Sequence, residues 1–187
     1  MRLPPATHLV VICPSQARAE AARQRAAQVL GTIGLRLHPD KTRITCLSQG
    51  RGGFDFLGFH HHMVASWKWR GRWYLHRWPS DRAMASVRSK VRQLTGHNTT
   101  GQDLSFVVGA INRRLRGWGN YFRWGNSTRK FAHIDMYVHQ RLAIWMSKKH
   151  KLRSKRNWRR FNWEWQRQVG VYQLAGRARS HPAHALR

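Results

Sequence analysis

At Pro79 the apolar rhythm of the chain changes, and this change constrains the fold more than any other feature. Before it, apolar and aromatic residues fall in short β-branched runs or alternate with polar ones. These stretches are LVVIC at residues 9–13, Leu35 and Leu37 beside Arg36 and His38, Thr42 to Leu47, and Phe54 and Phe56. Met63 to Trp69 and Trp73 to Trp78 follow, on either side of Arg70-Gly71-Arg72. Such runs are strand signals, and the last two read as a hairpin with a basic tip. A single helix interrupts them. Pro14 ends the first run, Ser15 is placed to cap, and good helix formers continue to about Leu30, with Gly31 or Gly34 as the stop.

After Pro79 the spacing becomes three and four. Ser80 caps a helix with Met84, Val87, Val91 and Leu94 in line, ended by Gly96. A second helix carries Leu104, Val107, Val108, Ile111 and Leu115 until Gly117, and a third, after Ser127-Thr128, carries Phe131, Ile134, Val138, Leu142 and Trp145. Three apolar stripes can close a small bundle, so the expected fold class is α+β: strand, helix, strands and hairpin, then three helices. The run KKHKLRSKRNWRR follows from Lys148 to Arg160, and then an Arg-, Ala- and His-containing tail whose composition suits disorder.

The charge narrows the partners. Against 35 Lys and Arg stand 7 Asp and Glu, a formal net charge of +28, where solubility asks a small domain for a magnitude of about 2 to 8. A compact fold holds that charge against its own repulsion, and a polyanion relieves it. No apolar run approaches the roughly 20 residues of a membrane span, and no signal-type apolar region follows Met1. Nucleic acid is the favoured partner. Cys13 and Cys46 stand far apart with no CxxC pattern, which points to neither a zinc site nor a disulfide and fits a reducing, cytoplasmic setting. His60, His61 and His62 are consecutive, and on a strand consecutive side chains face opposite ways and do not converge on one ion; they read as a polar strand end.

Catalysis by two metals needs carboxylates gathered around ions roughly 4 Å apart. The seven acids, Glu20, Asp40, Asp55, Asp81, Asp103, Asp135 and Glu164, are each at least fifteen residues from the next. Asp81 and Asp103 stand where helix starts favour acids. No catalytic residue, metal ligand or cofactor is expected.

One dense mixture of charge and ring is INRRLRGWGNYFRWG, residues 111–125. If its helix continued past Gly117, then Ile111, Leu115, Trp118 and Phe122 would share one face, with Arg113, Arg114 and Arg116 elsewhere. The indoles read as packing. The arginines have too few acids to pair with, and a guanidinium fork suits the phosphates of structured RNA. Candidate RNA contacts are therefore Lys41 in its turn, Arg70 and Arg72 at the hairpin tip, and Arg113, Arg114, Arg116 and Arg123. To these the basic run adds Lys148, Lys149, Lys151, Arg153, Lys155, Arg156, Arg159 and Arg160.

Three stretches, GLRLHPDKTRI at 34–44, FDFLGF at 54–59 and LRGWGNYF at 115–122, together resemble the reverse transcriptase and maturase protein encoded by bacterial group II introns, over roughly residues 9 to 165. The resemblance implies the C-terminal part of a polymerase palm at 1–60, with Lys41 on the family's palm lysine, and an aromatic hairpin at 61–78. It further implies a maturase-specific, thumb-like helical bundle at 79–147 and a basic extension and tail at 148–187. Where the family has Tyr-Ala-Asp-Asp, this chain has Pro5-Ala6-Thr7-His8, so polymerase chemistry is not expected of the isolated chain, nor is the DNA-cutting domain of some family members. The implied function is RNA binding that stabilises folded group II intron RNA for splicing. The alternatives are one half of a split or decayed RNA-directed DNA polymerase needing an N-terminal partner chain, a non-specific nucleic-acid-binding protein, or a remnant without a selected role.

Overall fold

The structure, a computed structural model, describes residues 9–152 and 157–179. It is an α+β arrangement in the order α1 (Gln16–Thr32), β1 (Gly53–Phe56), β2 (Phe59–Ala65), β3 (Trp73–Pro79), α2 (Asp81–Leu94), α3 (Leu104–Phe122), α4 (Thr128–Lys149), α5 (Asn157–Arg160) and α6 (Trp163–Gln168). The strands form one antiparallel sheet in the order β1-β2-β3. Ser15 starts α1 as expected: its Oγ accepts from the Arg18 N–H at 3.3 Å.

Three expected strands do not form. Residues 9–13, 35–37 and 42–47 carry no ladder, and Leu9, Val11 and Ile12 lie exposed. A β-branched run becomes a strand only when a neighbouring strand accepts its hydrogen bonds, and strand propensity without that neighbour decides little. The hairpin differs too. FDFLGF is two strand ends and a turn, with Leu57 at φ 47° and Gly58 at φ 79°, the pair of positive values that a tight type I′ connection requires. Glycine adopts this conformation at no steric cost, and a leucine seldom does. The second connection is longer, residues 66–72, because β2 already stops at Ala65.

The described residues divide into two compact units, 9–57 with 61–75, and 58–60 with 76–179. In the first, Met63 is the single buried hydrophobic residue, and α1 buries none. Phe54 stacks on His61 with ring centroids 4.9 Å apart, so this histidine serves packing.

The second unit has a continuous core in which Met84, Val87 and Val91 of α2 meet Val107, Val108, Ile111 and Leu115 of α3 and Phe131, Ile134, Val138, Leu142 and Trp145 of α4. Ser80 Oγ caps α2 by accepting from the Ala83 N–H at 3.3 Å, and Asp103 holds the cap position of α3 without a side-chain hydrogen bond. Two polar side chains of this bundle are held by hydrogen bonds within it. Trp145 Nε1 donates to Thr99 Oγ1 (3.0 Å), and Arg141 donates to Thr95 Oγ1 and to the Thr95 carbonyl (3.0 and 2.6 Å).

Two further corrections concern α3 and the tail. Helix α3 runs through Gly117 to Phe122: glycine costs a helix about 1 kcal/mol, and burying Phe122 against Trp118 (4.8 Å) outweighs that. The tail, expected to suit disorder, is packed as far as residue 179. Asn112 donates to the Gly170 carbonyl (2.8 Å) and accepts from the Tyr172 N–H (2.7 Å). The Asp135 carboxylate accepts from the Leu174 N–H (3.0 and 3.1 Å) and the Ala175 N–H (2.8 Å). Leu174 is fully buried, and a Cβ at Gly119 would collide with its Cδ2. Burial pushes the Asp135 carboxyl above its usual range, while those two amides and Arg177 act in the opposite direction.

Candidate nucleic-acid interface

Lys130 pairs with Asp81 (3.1 Å) and Arg167 with Glu164 (2.9 Å), and the whole chain has 7 acids against 35 Lys and Arg. The acids thus compensate little of the basic charge, and what remains is sorted by burial and by neighbours.

On α3 the periodic reading places the arginines correctly. Ile111 and Leu115 are fully buried, while Arg113, Arg114 and Arg116 are exposed on the same helix. Arg123 caps the C-terminal end of α3, half-buried, with its guanidinium carbon 4.8 Å from the Trp124 ring. At the end of α4 the two adjacent lysines differ. Lys148 is exposed, whereas Lys149 Nζ donates to the Thr100 and Gln102 carbonyls (3.0 and 2.8 Å) and fastens the loop before α3. Lys151 is exposed at φ 52°. Arg159 and Arg160 are exposed on α5, Arg160 at 5.9 Å from the Phe161 ring. Arg153, Lys155 and Arg156 lie outside the described residues.

In the other unit Lys41 is exposed in the turn closed by its own N–H and that of Thr42 on the His38 carbonyl (3.2 and 3.0 Å). The loop of residues 66–72 is closed by the Ser66 N–H on the Arg72 carbonyl (2.8 Å). Its tip mixes ring and charge as expected: Trp67 is 96% exposed, and Lys68 and Arg72 lie 5.3 and 5.6 Å from the Trp69 ring. Arg70 is exposed beside them.

Residues 84–165 match the model of the family described as group II intron, maturase-specific domain. The chain carries a maturase-specific domain. A search of curated proteins finds no match. The match takes in most of α2, all of α3 and α4 and the residues beyond them as far as Trp165, and therefore the exposed arginines of α3 and the lysines that end α4. Among the described residues no three His, Cys, Asp or Glu side chains gather as a metal site would need, and no helix is long and apolar enough to cross a membrane.

The reading of the residues overlooked one group beside the maturase-specific domain. Tyr172 has Arg116 and Arg177 over its ring at 5.1 and 4.3 Å, and Arg179 approaches the Trp124 ring at 5.4 Å, as Arg123 does. The available signal was the alternation Gly176-Arg177-Ala178-Arg179 shortly after an isolated tyrosine. Its composition resembles a solvated tail, and the side chains that anchor it, Asn112 and Asp135, lie far away along the chain.

Proposed function

We propose that this protein binds folded group II intron RNA and holds it in the shape that splices, with the RNA supplying the chemistry and the protein acting stoichiometrically through binding energy. The observation that carries this reading is the maturase-specific domain itself, on whose longest matched helices Arg113, Arg114, Arg116 and Lys148 are exposed without a paired acid. Arginine forks suit phosphate pairs, and exposed rings such as Trp67 suit unstacked bases. In this proposal residues 79–147 serve as the thumb-like bundle and the basic run from Lys148 extends the contact.

The test is a competition at about 150 mM salt, where non-specific electrostatic binding is already weakened, among folded group II intron RNA, a size-matched structured RNA and duplex DNA. A preference of about ten-fold or more for the intron is the expected result; equal binding of all three would overturn it in favour of a non-specific nucleic-acid binder. Replacing Arg113, Arg114 and Arg116 together by Gln is expected to flatten the salt dependence by about three units, roughly one per lost phosphate contact.

A second reading, in which a partner chain with the remaining polymerase parts completes the N-terminal unit, is favoured by one observation. Leu9, Val11, Ile12, Ile33 and Leu35 are exposed and α1 buries nothing. An open reading frame upstream encoding a polymerase-type aspartate motif, and co-purification of its product, would favour it.

A further inference from the structure

Residues 170–179 cross the end of α3 as a strap, and between them lies a half-open cavity of ≈ 210 Å³ lined by Gly119, Asn120 and Arg123 of the helix end and by Tyr172, Gly176, Arg177 and Arg179 of the strap. Three of the lining side chains are guanidiniums and none is a carboxylate. Asp135 feels the charge of Arg177, but its oxygens are engaged by the Leu174 and Ala175 amides.

The guanidiniums are held in place without being neutralised. Arg177 Nε donates to the Gln173 carbonyl (2.8 Å) and its plane lies over Tyr172; Arg123 and Arg179 share the Trp124 ring, and the Arg179 N–H donates to the Arg123 carbonyl (2.6 Å). Ring faces attract cations yet leave their N–H donors available. A second, independent observation points the same way: Arg123 Nε is buried and has no hydrogen-bond partner among the described residues. A buried donor of that kind ordinarily finds an acceptor, and bringing like charges together is unfavourable unless an anion joins them.

We infer that the cavity between the end of α3 and the strap is a phosphate-binding subsite, gripping one phosphate of the bound RNA through Arg123, Arg177 and Arg179. The inference rests on the RNA-binding reading for the source of that phosphate. Its size agrees: pockets that enclose a whole drug-sized ligand occupy about 300 to 1,000 Å³, and this one is smaller, suited to a phosphate with part of its sugar. Tyr172 and Asn120 line the remaining wall, where a hydroxyl and an amide suit ribose oxygens. The phosphate is either an internal diester or a terminal monoester.

The test follows the Arg123 Nε–H resonance by NMR in the full chain at constant ionic strength, with dimethyl phosphate as the diester probe, methyl phosphate as the monoester probe and acetate as the control anion. A saturable shift with dimethyl phosphate and not with acetate is expected, and would assign a backbone phosphate; saturation with methyl phosphate alone would assign an RNA end. No saturable shift with either, or an equal shift with acetate, overturns the subsite. The R177K/R179K variant, which keeps the charge and removes the forks, is expected to lose the saturable shift while its amide spectrum elsewhere is unchanged. For intron RNA, R177Q/R179Q is expected to weaken affinity about ten-fold more than the charge-matched R113Q/R114Q, on the scale of one charge-assisted hydrogen bond to a phosphate. Equal losses in the two variants would overturn the subsite and leave RNA binding standing, whereas a wild-type chain that saturates with dimethyl phosphate but shows no intron preference would retain the subsite and fail the functional reading.

Discussion

Ile111 and Ile12 both lie in apolar runs, yet Ile111 is fully buried and Ile12 is 84% exposed. The two belong to different units, and the contrast holds around each. Helices α2, α3 and α4 supply one another's apolar stripes with a facing surface, so residues spaced three and four apart suffice to build a core. The N-terminal part of the chain has the right composition for strands, but the described residues form a sheet of only three, and the runs at 9–13, 35–37 and 42–47 find no ladder. Amphipathic helices supply their own backbone hydrogen bonds and need only a packing partner; a strand needs its neighbour for both.

This contrast can be broken most sharply at Phe131, fully buried in the helical unit. Phe131→Ala is expected to cost about 3 to 5 kcal/mol, read as a lowered urea midpoint. Asp135→Asn comes next, at about 1 to 3 kcal/mol, because it turns an amide NH₂ or a weaker acceptor toward the N–H groups of Leu174 and Ala175; an unchanged midpoint would mean that the strap does not contribute to the stability of the helical unit. Ile12→Ala is expected to change stability by no more than about 0.5 kcal/mol. A cost near that of Phe131→Ala would show that Ile12 is covered in solution, and the comparison would collapse.

The smallest effect is a pH dependence. His139 stacks on Trp163 at 4.3 Å, and burial lowers its pKa from 6.5 while a hydrogen bond with Gln166 opposes the change. Below pH 6.5 the unfolded chain takes up a proton that the folded one resists, so stability is intact above 6.5 and declines as the pH falls through the lower folded value. His76, lowered by burial alone, adds to the same slope. Unfolding midpoints measured from pH 7.5 to 5 should therefore decline less steeply for His139→Gln than for the wild type; parallel profiles would assign the slope elsewhere.

The helical unit was legible because its signals are local and repeated. Met84, Val87 and Val91 announce a face before any partner is known, as do Phe131, Ile134 and Val138. Gly117 misled because a helix-breaking preference worth about 1 kcal/mol was set against burial of Trp118 and Phe122 that only the tertiary structure shows. Of the candidate contacts, the exposure of Arg113, Arg114 and Arg116 followed from the period, whereas the engagement of Lys149 with two loop carbonyls did not, because hydrogen bonds across 47 and 49 residues leave no trace in spacing. The strap was missed for the same reason. Its anchors are single polar side chains, Asn112 and Asp135, far away along the chain, and an acid in the middle of an apolar stripe was the one clue.

The strap also separates two boundaries that are easily taken as one. Family similarity ends at residue 165, but Leu174 fills the hollow over Gly119 and the amides of 174 and 175 satisfy a carboxylate embedded in α4. A fragment cut where the similarity stops would carry a hole in its core and a stranded anion beneath its surface. The smallest autonomous piece of this protein is therefore longer than its recognisable motif, and a recombinant domain should run to at least residue 179.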